Sequence, residues 1–170
     1  TALRSITYSS TSEDPTVSYT SRSITWIVTD ANSDGAGAAN SSGVTSTISL
    51  TALSDAPVVT AGATLNYTEN GSAAVVDNTI AISDIDDIEL IGGTITISSG
   101  FTTGDILTLT TQNGISGSFD SSAGELNIIG TASLADYQTV LRSITYYTTS
   151  EDPTNTSSSR TITWIVTDAN

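Results

Sequence analysis

The sequence predicts an all-β fold, a Greek-key β-sandwich, from three observations. Apolar and polar residues alternate with a period of two in many short runs, as in Ile24, Trp26 and Val28 between Thr25, Ile27 and Thr29. Those runs are rich in Thr and Ile, whose branched side chains suit a pleated, half-buried surface. Gly and Asn-Gly signals separate them: Asn70-Gly71, Gly92-Gly93, Asn113-Gly114 and Ala123-Gly124.

In chain order the expected strands are 3–9, 22–30, 44–53, 64–68, 79–83, 93–98, 106–111, 126–129, 142–148 and 160–168. Ile95 and Ile97 alternate with Thr94, Thr96 and Ser98, and Leu107 and Leu109 with Thr108 and Thr110. Each alternation sends one apolar set to the core and Thr or Ser outward. Only Ser133–Thr139 reads as a helical turn, with Leu134 and Tyr137 on one side. So many short strands in one domain length point to a sandwich.

Thr1 to Asn32 recurs as Thr139 to Asn170, with 24 of 32 positions identical. Chance does not produce that, so the chain reads as a segment of a tandem array with a period of 138. Ser54-Asp55-Ala56-Pro57 marks the expected boundary. Residues 1–56 are then the C-terminal part of one repeat. Residues 57–170 are most of the next, lacking a last strand whose analogue is Val44–Leu53. That strand is either closed within the chain by residues 33–53 or donated by a neighbouring copy. Trp26 and Trp164 are equivalent and read as core anchors. The arginines recur as well, and Arg142 and Arg160 are expected to brace adjacent strands through carboxylates such as Glu151 or Asp152. Tyr137 is a candidate tyrosine-corner residue.

Composition removes whole chemistries. There is no Cys, His, Lys or Met, and four arginines face eighteen carboxylates for a net charge of −14. Nucleic acid and anionic membranes are repelled. Zinc sites of the usual kind, thiol nucleophiles, His-based triads, disulfides and Lys cross-links are excluded. The carboxylates suit a hard divalent cation with oxygen ligands, Ca²⁺ above all. Solubility or salt adaptation is the competing reading of the same charge. No run approaches the ~18 apolar residues of a membrane helix. No export signal is visible, and the start at Thr1 inside a strand-like pattern reads as an excised segment.

Two acidic patterns are candidate metal sites. Asp30-Ala31-Asn32-Ser33-Asp34-Gly35 matches the first half of a calcium loop, in which alternate oxygen-bearing side chains turn to one centre. Ser41 stands where an EF-hand has Glu, so a polar turn remains the alternative. Asp84-Ile85-Asp86-Asp87 places adjacent carboxylates at a strand end, where they repel unless a cation or hydrogen bonds compensate. A solvated acidic turn is the alternative there.

The ordered blocks DAPVV, NYTENGSAAVVDNTIAISDIDD, IELIGGTITISSGF, GDILTLT, ISGSFDSSAGELNIIGTASLADYQTVLRSITYYTTSEDP, SRTITWIVTDAN and VTSTISLTALSDAP cover essentially the whole chain. Together they resemble the cadherin-like repeats of giant bacterial surface proteins and repeats-in-toxin-type adhesins. That resemblance implies a cadherin-like sandwich, an extracellular location, calcium near domain junctions and an extender role in adhesins, fibres or biofilm proteins. It also implies ligands: Asp84 and Asp86 with Glu69 and Asp55. Asp87 adjoins them in the acidic run, and Asp30 and Asp168, which end equivalent strands, are expected to join. A full linker DxNDN is absent. Partners are then neighbouring copies of the repeat, in tandem or by strand exchange between chains. An enzyme is not expected, since a duplicated unit with no evident cleft argues against one. The alternative is a carbohydrate- or surface-binding module with Tyr146, Tyr147 or Trp as exposed platforms.

Overall fold

The computed structural model describes residues 2–169. It divides into two compact units, Thr1–Ser54 and Asp55–Asn170. No described helix is long and apolar enough to cross a membrane.

The first unit is sparse. A 3₁₀ turn at Ala2–Ser5 is followed by a hairpin-like pair, β1 (Ser21–Trp26) and β2 (Val44–Ser49). The pairing is antiparallel, from Ser21↔Ser49 to Trp26↔Val44. The Trp26 indole N–H donates to Ser46 Oγ at 2.9 Å. Residues 3–9, expected as a strand, form none beyond that turn. The same sequence in the second unit ends a helix and then packs as a strand between two others. No such partners occur within residues 1–54, so Tyr8 stays exposed while its counterpart Tyr146 is buried. Alternation specifies a strand only where a sheet exists to receive it.

The second unit is a β-sandwich. Its strands are β3 (Val58–Thr60), β4 (Ala74–Val75), β5 (Ala81–Ser83), β6 (Glu89–Ser99), β7 (Asp105–Thr108), β8 (Ser116–Asp120), β9 (Glu125–Ser133), β10 (Thr145–Thr148) and β11 (Thr161–Asp168). One sheet has the order β4-β10-β7 and the other β11-β6-β9-β8, with a short β3-β5 pair beside them. Inward residues alternate as expected: Ile95 and Ile97 of β6, Leu126 and Ile128 of β9, Leu107 of β7, and Val166 of β11 form one core with Ile80, Leu90, Ile115 and Ile144. Each such buried side chain contributes roughly 1.5–3 kcal/mol relative to exposure.

The expected helical turn is α1 (Leu134–Leu141). Ser133 caps it: its Oγ accepts from Asp136 N–H at 3.1 Å and its hydroxyl donates to the Asp136 carboxylate at 2.6 Å. Tyr137, Val140 and Leu141 face the core. The buried Tyr137 hydroxyl donates back to Gly130 O, the contact of a tyrosine corner. Gly130 holds φ at +135°, and a Cβ there would lie 2.3 Å from Gly114 O, so only Gly fits.

Residues 64–68 do not form a strand; they run beside the sandwich, with Tyr67 packed edge-on against Tyr146 at 5.1 Å. The arginine expectation needs correction. Arg160 reaches Asp105, not Glu151 or Asp152, which are both exposed. Arg142 Nε donates to Ile80 O at 2.7 Å, holding α1's end to the β5 approach. Asp105 is 1% exposed and also accepts from Tyr146 OH at 2.6 Å and Thr102 N–H at 2.9 Å. Burial and the Asp105 carboxylate together push the Tyr146 hydroxyl well above the usual tyrosine range.

Candidate metal centre

The turn Asp84–Asp87 joins β5 to β6 and brings three carboxylates together. One oxygen each of Asp84, Asp86 and Asp87 lie within 4.8 Å of one another. Main-chain geometry explains part of this. Asp84 Oδ1 accepts the amides of Asp86 and Asp87, both at 3.3 Å, which folds the turn back on its own first carboxylate. Asp86 Oδ2 accepts the amide of Asp55 at 3.1 Å, tying the first residue of the second unit to the same point. Asp84 Oδ2 and Asp86 Oδ1 are left buried with no hydrogen-bond partner.

Two buried, partnerless carboxylate oxygens facing a third acid are costly. The Asp55 amide favours the charged form of Asp86, but burial and the charges of Asp84 and Asp87 outweigh it, so its pKa is raised. A hard divalent cation fits this donor set: all oxygen, all anionic, with orphaned lone pairs converging. Ca²⁺ there would be held by Asp84, Asp86 and Asp87. It would cancel their repulsion and fix the Asp55 end of the unit.

The other expected ligands lie as follows. Asp55 contributes its main-chain N–H to the cluster, and its carboxylate is not among the converging oxygens. Asp168 ends β11 opposite Leu90, close in sequence to Asp87, and is 9% exposed at the same end of the sheet. Glu69 sits exposed in the turn after Tyr67, and its carboxylate is not among the converging oxygens. Asp30, Asn32 and Asp34 belong to the first unit. There Asp30 Oδ1 accepts Asn32 N–H, Asn32 Oδ1 accepts Gly37 N–H and Asp34 Oδ1 accepts Ala36 N–H, at 2.6–3.0 Å. Asn32 takes φ +51° and Gly35 φ +76°, so this segment is a tight turn stitched by its own side chains.

Sequence reasoning missed Asp77, which is 3% exposed. Its Oδ2 accepts the amides of Gly62 and Ala63, and its Oδ1 accepts the amide and hydroxyl of Thr79, all at 2.6–3.0 Å. Burial opposes its charge, but these four donors win and hold its carboxyl far below the usual range. The Asp-Asn-Thr run was the available signal, a side chain bonding to main chain two residues on. Tyr146, an expected platform for binding, is buried in the core instead.

No protein-family model matches the chain, and no solved structure matches it. Among curated proteins it is similar to Halomucin of Haloquadratum walsbyi (strain DSM 16790 / HBSQ001), with 34% identity over 108 residues and 60% of this chain covered. The matched stretch spans only 1% of Halomucin's own length.

Proposed function

We propose that this chain is a structural extender module of a long, repetitive extracellular surface protein. In this reading it is a cadherin-like, non-enzymatic unit of an adhesin or fibre, stiffened by Ca²⁺, with successive copies joined by exchange of strands. Similarity to one short stretch of a very long protein supports the surface-repeat part. The recurrence of Thr1–Asn32 as Thr139–Asn170 supports the tandem part.

One observation carries the calcium part: the Asp84–Asp87 turn buries two unpartnered carboxylate oxygens at the point where Asp55 enters the sandwich. Neutralising that point with a cation restricts the linker to one path, and restricted linkers turn a string of modules into a rod. Because the cation binds the folded turn preferentially, it also stabilises the unit, by about 2.7 kcal/mol at a hundredfold excess over Kd.

The test is calcium titration by calorimetry, with melting in calcium and in chelator, on the full chain and on Asp84→Asn and Asp86→Asn variants. Saturable binding that both variants weaken supports the reading. Heat-silent titration with unchanged melting contradicts it.

A second reading is favoured by the composition, eighteen carboxylates against four arginines. There the net charge of −14 serves hydration in concentrated salt, and the acidic turn is relieved by monovalent ions. Melting in NaCl against CaCl₂ at equal ionic strength separates the two.

A further inference from the structure

We propose that the outer face of the β11-β6-β9-β8 sheet is a self-association surface that pairs with the same face of a second copy of this chain. The two faces meet about a twofold axis running along the seam between β6 and β9. The pairing needs no calcium, and a strand added beside β11 widens this face rather than covering it.

The strand registers write the face out row by row. Ile95, Ile97, Leu126, Ile128 and Val166 point into the core, so the residues between them point outward. Along the seam, Thr96 stands beside Glu125, Thr94 beside Asn127 and Gly92 beside Ile129. On the flanks, Thr163 adjoins Thr96, and Asp120 adjoins Glu125.

A knob adjoins a gap. Ile129 is 66% exposed, and Gly92 next to it has no side chain. A Cβ on Gly92 would lie 3.0 Å from Ile128 O, so a side chain there crowds the main chain. The twofold lays Ile129 of each copy over Gly92 of the other and fills both gaps at once. Ile165, 55% exposed, lies one row away and is covered by the same contact. Strands of the two copies stay aligned, the usual arrangement of stacked sheets.

Charge selects the partner. At a net charge of −14, most surfaces of two copies repel each other, and a basic partner finds more charge elsewhere. In these rows the carboxylates are Glu125 and Asp120, both on the β9-β8 half. The axis lays that half over the β11-β6 half of the partner copy. Glu125 then faces Thr96, Asp120 faces Thr163, and no carboxylate meets a carboxylate. Glu125 is also engaged within its own face, accepting from Asn127 Nδ2 at 2.9 Å and Thr96 Oγ1 at 3.5 Å.

Four strands about 4.8 Å apart, and a rise of about 3.3 Å per residue from Gly92 to Ser98, give a face of roughly 440 Å². A standard complex buries about 800 Å² per partner, so one pair of modules associates weakly. On the repeat-module reading every period presents the face again, and multivalency turns weak contacts into side-by-side bundling of chains.

The experiment is sedimentation equilibrium of the full chain up to about 1 mM, in chelator, at low salt and at about 1 M NaCl, where repulsion is screened beyond about 3 Å. A reversible dimer that strengthens with salt is expected. Ile129→Asp should weaken it at least about tenfold, a change of about 1.4 kcal/mol. Thr163→Lys should strengthen it, and Asp120→Asn in the same chain should remove that gain, because the two positions meet only across the axis. If Ile129→Asp does not fold, the Thr163 and Asp120 series decides. A chain that stays monomeric, a dimer indifferent to Ile129→Asp, or a lysine gain that survives Asp120→Asn overturns the proposal. So does a dimer that forms only in calcium and is lost in Asp84→Asn, which leaves the calcium reading standing. A salt-driven dimer beside a heat-silent calcium titration sinks the calcium reading alone.

Discussion

Arg160 and Asp105, far apart in sequence, form an ion pair inside the second unit, with side chains 11% and 0% exposed. Arg160 also donates to Pro153 O and Ser157 O, both at 2.8 Å. Its counterpart Arg22 repeats those two contacts to Pro15 O and Tyr19 O at the same distance, and has no carboxylate partner among the described residues. The loop-bracing half of the arginine's role is therefore local, and the core-pinning half depends on the sandwich. Arg160→Ala or Asp105→Ala leaves one buried charge alone and should cost about 3–5 kcal/mol. Arg22→Ala should cost no more than about 1 kcal/mol, its contacts being exposed or half-exposed. Urea unfolding of the three variants checks the contrast.

Asp77 should dominate the acid limb of stability. Its folded pKa lies below the unfolded value, so its contribution is complete above about pH 4 and is lost as pH falls through the folded pKa. Asp86 has the opposite sign. Its folded pKa is raised, so its repulsion acts at neutral pH and is relieved on acidification. Asp77→Ala orphans the amides of Gly62, Ala63 and Thr79, and should destabilise by about 2–4 kcal/mol. It should also flatten the loss of stability between pH 4 and pH 2, measured by denaturant midpoints across pH.

Asp86→Asn should act in opposite directions with and without metal. In chelator the variant removes repulsion with Asp84 and Asp87 and should melt higher than the parent. In calcium it should lose most of the metal-dependent gain, because a ligand is gone. A crossing of the two melting series is the expected signature; parallel series would mean that no cation uses this turn.

Calcium itself should raise the melting temperature of the full chain by roughly 10 °C at a hundredfold excess over Kd. Differential scanning calorimetry in calcium and in chelator, at equal ionic strength, measures this.

Much of the sandwich was legible because β6, β7, β9 and β11 each carry an alternating stretch with Ile, Leu, Val or Trp inward. The strands that escaped notice lack that signal: β4 has two residues, β3 has three, and β8 offers only Phe119. The Asp84–Asp87 cluster was legible because its carboxylates adjoin in sequence. Asp105 was not, since a lone Asp at a strand start looks like any turn residue. Glu151 and Asp152 lay nearer Arg160 in sequence, and sequence distance misled: the fold brings Arg160, just before β11, to Asp105 at the start of β7. The first unit departs furthest from expectation: residues 3–9 form no strand beyond the turn at Ala2–Ser5, where no sheet within the unit receives them.

Small-angle X-ray scattering of the full chain, in calcium and in chelator at matched ionic strength, tests the calcium-stiffened extender most directly. The account predicts a longer maximum dimension and a narrower distribution of interatomic distances in calcium, both reversed by Asp84→Asn. Superimposable profiles in the two solutions would contradict it.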